Sequence, residues 1–391
     1  MHFGIPAYRL PRRELEDEVQ HITNMGVKIV FNHKVKNLLA EKVAGNFDAV
    51  FIAIGAHLSR KVDIPARDAG KILDAVTFLK QVDEGTAPKI GRRVAIYGGG
   101  NTAMDAARTA RRLGATETLI IYRRDREHMG AHDFEVQEAL EEGVKINWLR
   151  TIKHIDNDIV TVEVMRLEDG LPVPTGQFET LEADSLIMAL GQEADTGFLK
   201  DVPGIAFKSD GTVIVDQDMM TGFEGIFAGG DMVPCERTVT VAIGHGKKAA
   251  RYIDGYLRGN PYHKSPEHSI IDFTKLDLWY DTDAPMREQK ELSVNKRTEN
   301  FDEVRAGLQE KEARFEAQRC LSCGNCFECD GCFGACPQVA IIKLGTGKRY
   351  KFNYDLCTGC AICYEQCPCH AIEMIPEPVS TNAAAFQKTT I

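Results

Sequence analysis

Val94-Ala-Ile-Tyr97-Gly98-Gly-Gly-Asn-Thr-Ala103 is the stretch that decides the fold. Four apolar-biased residues make a short buried strand. Three glycines follow, and then a helix opens whose inner face is small: Ala103, Ala106, Ala107 and Ala110. A second strand, Thr118-Leu-Ile-Ile-Tyr122, comes next. Strand, glycine turn, helix and strand in this order make the repeating unit of a parallel sheet. The turn reads G-x-G-x-x-A. Gly98 and Gly100 permit the tight bend and let a pyrophosphate approach the N-terminus of the helix. Where the next strand ends, an acid would take the ribose 2′-hydroxyl of NAD. This chain has Arg123-Arg124 there, a pair suited to a 2′-phosphate. NADP(H) is the expected ligand and NAD(H) the alternative; a solvated arginine pair is the plain structural reading.

Outward from this unit the pattern alternates. A helix is expected over Arg12 to Met25, and strands over Val27–Phe31 and Ala49–Ile54, the latter ended by Gly55. Residues 144–185 are strand-rich, with Pro172, Pro174 and Gly176 in a hairpin connection. Leu186–Leu190 and Gly225–Asp231 close further strands. A helix from Val239 to Leu257 is stopped by Gly259-Asn-Pro261. Residues 262–300 lack periodicity and read as an extended connector; 301–319 read as a helix. Gly229-Gly-Asp231, followed by Thr238 opening a helix, places an acid and free backbone N–H groups where a flavin could lie.

Cysteine decides the far end. Of 12 cysteines, 11 fall between Cys320 and Cys369, and Cys235 stands alone upstream. So dense a cluster in a chain without a secretory pattern points to metal rather than disulfides. The run C-x2-C-x2-C-x3-C-P occurs twice, 31 residues apart, with Ala340 and Ile341 recurring as Ala371 and Ile372. Such runs hold [4Fe-4S] clusters, the fourth cysteine of each ligating the other cluster. Cys326, Cys329, Cys332 and Cys367 are thus assigned to one cluster, and Cys357, Cys360, Cys363 and Cys336 to the second. Structural zinc is the alternative. Cys320 and Cys323 extend the ladder upstream and could hold part of a further centre or be plain thiols.

The 391 residues carry a net charge of −10, which argues against a nucleic-acid-binding surface. No run of 18 apolar residues and no signal-peptide core are present, so the expectation is a soluble cytoplasmic protein without membrane insertion.

Gly4-Ile-Pro-Ala-Tyr-Arg-Leu-Pro11, the GGGNTAMDAA turn, Tyr122-Arg-Arg, Ala189-Leu-Gly191 and Ala228-Gly-Gly-Asp231 together resemble the NADPH-dependent glutamate synthase small-subunit family. Residues 319–376 resemble a bacterial two-cluster ferredoxin of the kind found with 2-oxoacid:ferredoxin oxidoreductases. The resemblance implies that Arg9, Val35, Gly230, Asp231, Thr238 and Val239 meet FAD. It also implies that Gly98, Gly100, Asn101, Thr102, Arg123 and Arg124 meet NADP(H), with Ala189 to Gly191 beside the nicotinamide. Two departures stand out. The family's first glycine turn, upstream of the GIP motif, is missing here, so the start is truncated, a partner completes the fold, or FAD binding is weakened. The iron–sulfur domain is also C-terminal, not N-terminal, which makes a glutamate synthase role unlike the expectation.

The fold class expected is α/β: a two-dinucleotide-binding-domain (Rossmann-like) flavoprotein fold with a C-terminal α+β bacterial ferredoxin domain. Its divisions are a partial FAD domain (1–88), an NAD(P) domain (89–195), an FAD-domain return (196–262), a connector (263–318), the ferredoxin domain (319–378) and a tail (379–391). The expected function is an electron-transfer subunit linking NAD(P)H, FAD and two [4Fe-4S] clusters to a partner catalytic subunit such as a 2-oxoacid oxidoreductase. No catalytic nucleophile or acid–base pair stands out. A flavin-free ferredoxin conduit and a glutamate synthase small subunit are the alternatives.

Overall fold

The computed structural model describes residues 1–60, 64–67, 71–263, 283–320 and 326–376. Cys323, the tail after residue 376 and the first part of the expected connector (264–282) lie outside them. Among the described residues, those before 264 form one compact unit together with Glu291–Ala306. Residues 283–290 and those from Gly307 onward form a second. No helix is long and apolar enough to cross a membrane among the described residues.

The first unit starts with helix α1 (Arg12–Asn24), where the 3.6-residue pattern places it, and α2 (Leu38–Ala44). Strands β1 (Val50–Ile52), β2 (Leu58–Ser59), β3 (Ala66–Arg67) and β4 (Lys71–Asp74) follow. Asp74 caps α3 (Ala75–Asp83) by accepting from the Thr77 N–H at 2.8 Å. The deciding stretch becomes β5 (Arg93–Tyr97), the glycine turn and α4 (Asn101–Arg112). Then come β6 (Glu117–Tyr122), α5 (Asp133–Glu141), β7 (Lys145–Trp148), β8 (Arg150–Asp156), β9 (Ile159–Glu168) and β10 (Leu171–Glu182). β11 (Ser185–Met188), β12 (Gln192–Glu193), β13 (Ile226–Ala228) and the long α6 (Val239–Leu257) complete the run.

Five strands pair in parallel in the order β4-β11-β5-β6-β7. Val94 to Tyr97 are all buried, as a strand covered on both faces requires. Phe78, Met104, Ile96 and Ile120 fill one side of this sheet; Ile121, Ile152 and Val162 fill the other. β1 and β13 make a separate parallel pair from segments on either side of that sheet in the chain, and β2 and β12 pair antiparallel.

Three expectations are corrected. Val27–Phe31 forms no strand, and Val30 and Phe31 are 65% and 77% exposed. A buried strand needs neighbours for its backbone groups, and among the described residues β1 pairs only with β13. The hairpin reverses at Asp169-Gly170, both at positive φ, rather than at the prolines. Pro172 and Pro174 lie inside β10, an edge strand where a missing N–H breaks no ladder, and the register slips between Pro174 and Phe178. The presumed connector contains α7 (Val294–Glu299), and α8 (Glu310–Gln318) starts nine residues later than the expected helix.

Glu291–Ala306 is a clasp on the first unit. Arg297, 5% exposed, pairs with Glu291 at 2.7 Å and with Glu141 of α5 at 3.2 Å. Arg305 reaches Glu138 at 3.2 Å, and the Val304 N–H donates to the Tyr8 carbonyl at 2.9 Å. These anchors are charged side chains and backbone groups, so hydrophobic periodicity does not reveal them.

Beneath the clasp lies a buried ionic network on α4. Glu142 accepts from Arg108 at 2.8 Å and from Arg112 through both carboxylate oxygens. The Arg112 guanidinium also covers the Tyr8 ring at 3.7 Å. Burial alone would raise the Glu142 carboxyl, but hydrogen bonds from Arg112 and Arg108 hold it below its usual range. Arg9 bridges Asp105 and Glu135. Burial, reinforced by the Asp105 charge, pushes Glu135 up to about 7.

The second unit contains α8, then α9 (Gly331–Ala335), β14 (Ile341–Lys343), β15 (Tyr350–Phe352) and α10 (Ile362–Glu365). β14 and β15 pair antiparallel. The 31-residue repeat is visible in the backbone itself. Left-handed residues recur as Glu328 and Gly359 (φ 62° and 66°), Asp330 and Ala361 (64° and 64°), and Val339 and His370 (50° and 49°).

Removing one partner of the α4 network strands buried charge. Glu142→Ala is expected to cost about 3–5 kcal/mol in urea unfolding, against under about 1 kcal/mol for the exposed pair partner Glu310→Ala. Glu135 supplies a pH test. The native carboxyl keeps its proton up to about 7 while the unfolded one releases it near 4.5, so the native state holds more protons in that window. Stability should therefore fall as pH rises from about 4.5 to 7, and Glu135→Gln should flatten that decline in urea midpoints; an unchanged slope would refute it.

Candidate functional site

At the end of β5 the chain turns beneath β11. A Cβ on Gly98, whose φ is 145°, would sit 2.1 Å from the Ala189 carbonyl oxygen, so only glycine fits. A Cβ on Gly99 would strike the Tyr122 ring at 2.3 Å. Around Gly100, which caps α4, there is open space instead. The loop before α5 is fastened to this turn: the His132 N–H donates to the Asn101 Oδ1 at 3.0 Å, and the Ala131 N–H to the Gly99 carbonyl at 3.0 Å.

A cavity of about 520 Å³ opens above the turn. Of the residues expected at NADP(H), Gly98, Gly100, Thr102, Arg123, Ala189 and Gly191 line it. Asn101 instead positions the loop, and Arg124 lies outside the lining. The free N–H groups of a twelve-residue helix, an exposed guanidinium and a glycine turn without side chains suit a nucleotide diphosphate. Arg60 also lines the cavity and pairs with Glu193 at 3.1 Å. No motif announces Arg60; it arrives through the pairing of β2 with β12.

Four of the residues expected at FAD meet at the β13–α6 junction. The Gly229 N–H donates to the Ile52 carbonyl at 3.0 Å, and Phe51 and His245 leave no room for a Cβ on Gly229. Gly230, at φ 71°, donates its N–H to His245 Nδ1 at 3.2 Å, which ties the turn bearing Asp231 to α6. Thr238 caps α6 by accepting from the Val241 N–H at 3.2 Å, and Val239 is exposed beside it. Val35 packs against the core around β1 and β13. Arg9 is committed to Asp105 and Glu135. A bare glycine turn against a helix N-terminus fits a flavin at this junction. His245 is a contact that sequence reasoning missed.

In the second unit the thiols sort into two groups. Cys326, Cys329, Cys332 and Cys367 line one cavity with Phe327, Tyr350, Phe352 and Ile372. Burial first, then the charges of Cys367, Cys326 and Cys329, pushes Cys332 up to about 12. Cys363 is likewise raised by burial and by Cys357, Cys336 and Cys360. The neighbours each thiol meets are thus those of the crossed assignment. The first set lines a cavity. Backbone donors are matched in both halves: Ala340 N–H to Cys336 Sγ at 3.3 Å and Ala371 N–H to Cys367 Sγ at 3.2 Å. Thiolate donors with N–H···S support suit iron–sulfur clusters. Cys320 is exposed, and Cys235 donates to the Gly230 carbonyl at 3.5 Å.

Residues 8–246 match the family described as pyridine nucleotide-disulphide oxidoreductase, and residues 350–373 match the 4Fe-4S binding domain. The NADP(+)-dependent formate dehydrogenase subunit beta of Moorella thermoacetica is 35% identical, covering 82% of this chain and 48% of its own length. The NADPH-Fe(3+) oxidoreductase subunit beta of Geobacter sulfurreducens is 32% identical, covering 82% and 55%. The glutamate synthase (NADPH) small chain of Azospirillum brasilense is 32% identical, covering 66% and 58%. The chain therefore spans about half the length of the first two curated relatives. FprA, an oxidoreductase of Mycobacterium tuberculosis, shares the fold at a TM-score of 0.54 and 16% identity, over 66% of this chain and 75% of its own. With a glycine-turn nucleotide cavity in one unit and two sets of four thiols in the other, the chain belongs to the pyridine nucleotide-disulphide oxidoreductase family and carries a ferredoxin-type 4Fe-4S domain.

Proposed function

We propose that this oxidoreductase is an electron-transfer subunit, moving electrons between NADP(H), FAD and two [4Fe-4S] clusters in service of a partner catalytic subunit. The observation that carries this reading is the presence, in one chain, of the Gly98–Thr102 nucleotide cavity and the two crossed sets of thiols. When bound, the nucleotide supplies a hydride, the flavin divides the electron pair and the clusters carry single electrons. The chain's own residues bind and orient. The α4 N-terminus would hold the diphosphate and Arg123 the 2′-phosphate, and Ala189 to Gly191 wall the cavity. No proton donor is needed for hydride transfer at these positions. The organic substrate then belongs to the partner. A 2-oxoacid oxidoreductase is proposed for that role, and the formate dehydrogenase and Fe(3+) oxidoreductase relatives make those chemistries the comparison to run.

One observation favours a second reading, a flavin-free conduit: Val27–Phe31 stands exposed, and among the described residues β1 pairs only with β13. Anaerobic purification with flavin and iron analysis separates the two. About one FAD and about eight irons per chain are expected; about eight irons without flavin would establish the conduit. The nucleotide choice has its own test. Replacing Arg123 and Arg124 together by alanine should weaken NADPH binding by about 10- to 100-fold and NADH by less than about twofold, since hydrogen bonds to a charged group are each worth roughly 1.5–3 kcal/mol. Equal losses for both nucleotides would refute the 2′-phosphate assignment.

A further inference from the structure

A fifth sulfur stands at one of the two sets of thiols. Cys369 is 6% exposed, and its Sγ lies 3.9 Å from the Sγ of Cys367. It lines the same cavity as Cys326, Cys329, Cys332 and Cys367, among Phe327, Tyr350, Phe352 and Ile372. It belongs to neither C-x2-C-x2-C-x3-C run.

We propose that the Cys369 thiol donates a hydrogen bond to the Cys367 sulfur when that sulfur ligates iron, and that this bond sets the potential of one cluster apart from the other. The proposal rests on the cluster assignment given above. A ligating Cys367 is a thiolate with no proton of its own, so the proton between these two sulfurs belongs to Cys369. The Cys367 sulfur already accepts the Ala371 N–H at 3.2 Å.

The internal repeat supplies the control. In the other half, Cys336 accepts the Ala340 N–H at 3.3 Å, so the backbone donors match. The position 31 residues before Cys369 is Gln338, which is exposed and brings no thiol. Residues 338 and 369 are one place where the surroundings of the two fourth ligands differ, Val339 and His370 being another.

Adding an electron to a cluster concentrates negative charge on its sulfurs. A donor aimed at a ligating sulfur then stabilises the reduced form more than the oxidised one and raises the potential. Apolar walls around the cavity strengthen the effect, because little water competes for the sulfur. The Cys369 side chain thus adds to the inequivalence of the two clusters and favours one of them as a resting place for electrons.

The test is an EPR-monitored redox titration of the full chain, purified anaerobically, with iron counted in each sample. Cys369→Ala should keep about eight irons while one midpoint potential shifts downward and the other stays. Cys369→Ser, which keeps a donor with a shorter reach, should fall between Cys369→Ala and the parent chain. Full iron with both potentials unmoved in Cys369→Ala overturns the proposed bond and leaves the cluster assignment standing. Loss of about half the iron in Cys369→Ala also overturns it, by making Cys369 a ligand or a structural support. Iron well below eight in the parent chain overturns the cluster assignment and the bond with it.

Discussion

Glu142 holds two buried guanidinia on one carboxylate, and the placing of α4 depends on it. Arg108 and Glu142 are almost wholly buried, and Arg112 nearly so. Taking three charges out of water is costly, and it is tolerated because each charge meets its partner in fixed geometry. That requirement locks α4 against α5 and against Tyr8 of the N-terminal segment. At its other end α4 presents the glycine turn, whose position under Ala189 tolerates no side chain. The nucleotide cavity is therefore held from both ends of one helix: by charge at its C-terminal half and by the absence of side chains at its N-terminal cap.

Much of this was legible in the sequence, for local reasons. The G-x-G-x-x-A turn has a backbone requirement that glycine alone meets, so Gly98 reads directly as a tight bend, while its close approach to the Ala189 carbonyl is visible only in the structure. The cysteine runs are legible because metal chemistry imposes spacing. Their duplication reappears as three pairs of left-handed residues, two of which, Asp330 with Ala361 and Val339 with His370, have glycine in neither copy. The helices α1, α4 and α6 followed their patterns because an amphipathic or small-residue face repeats within a few turns.

The illegible parts depend on partners far along the chain. Val27–Phe31 has the composition of a buried strand, yet composition says nothing about whether a neighbouring strand is present. The residues Arg297 and Arg305 read as an ordinary charged stretch until Glu138, Glu141 and Glu291 are brought beside them. Arg60 and His245 reach their sites through strand pairing and helix packing, neither of which leaves a spacing to find. Arg9 is instructive in another way. Its motif carried a cofactor role by resemblance, while the structure shows its guanidinium between two carboxylates.

The path of the chain has a mechanical consequence. Glu291–Ala306 belongs to the first unit although the residues on either side of it belong to the second. No single cut in the sequence divides the two units; removing everything after a cut before the clasp takes Arg297 from Glu141 and leaves Glu138 with Arg108 as its partner. The ion pairs of Arg297 and Arg305 therefore fasten to the first unit a segment that the chain enters from the second unit and leaves to it.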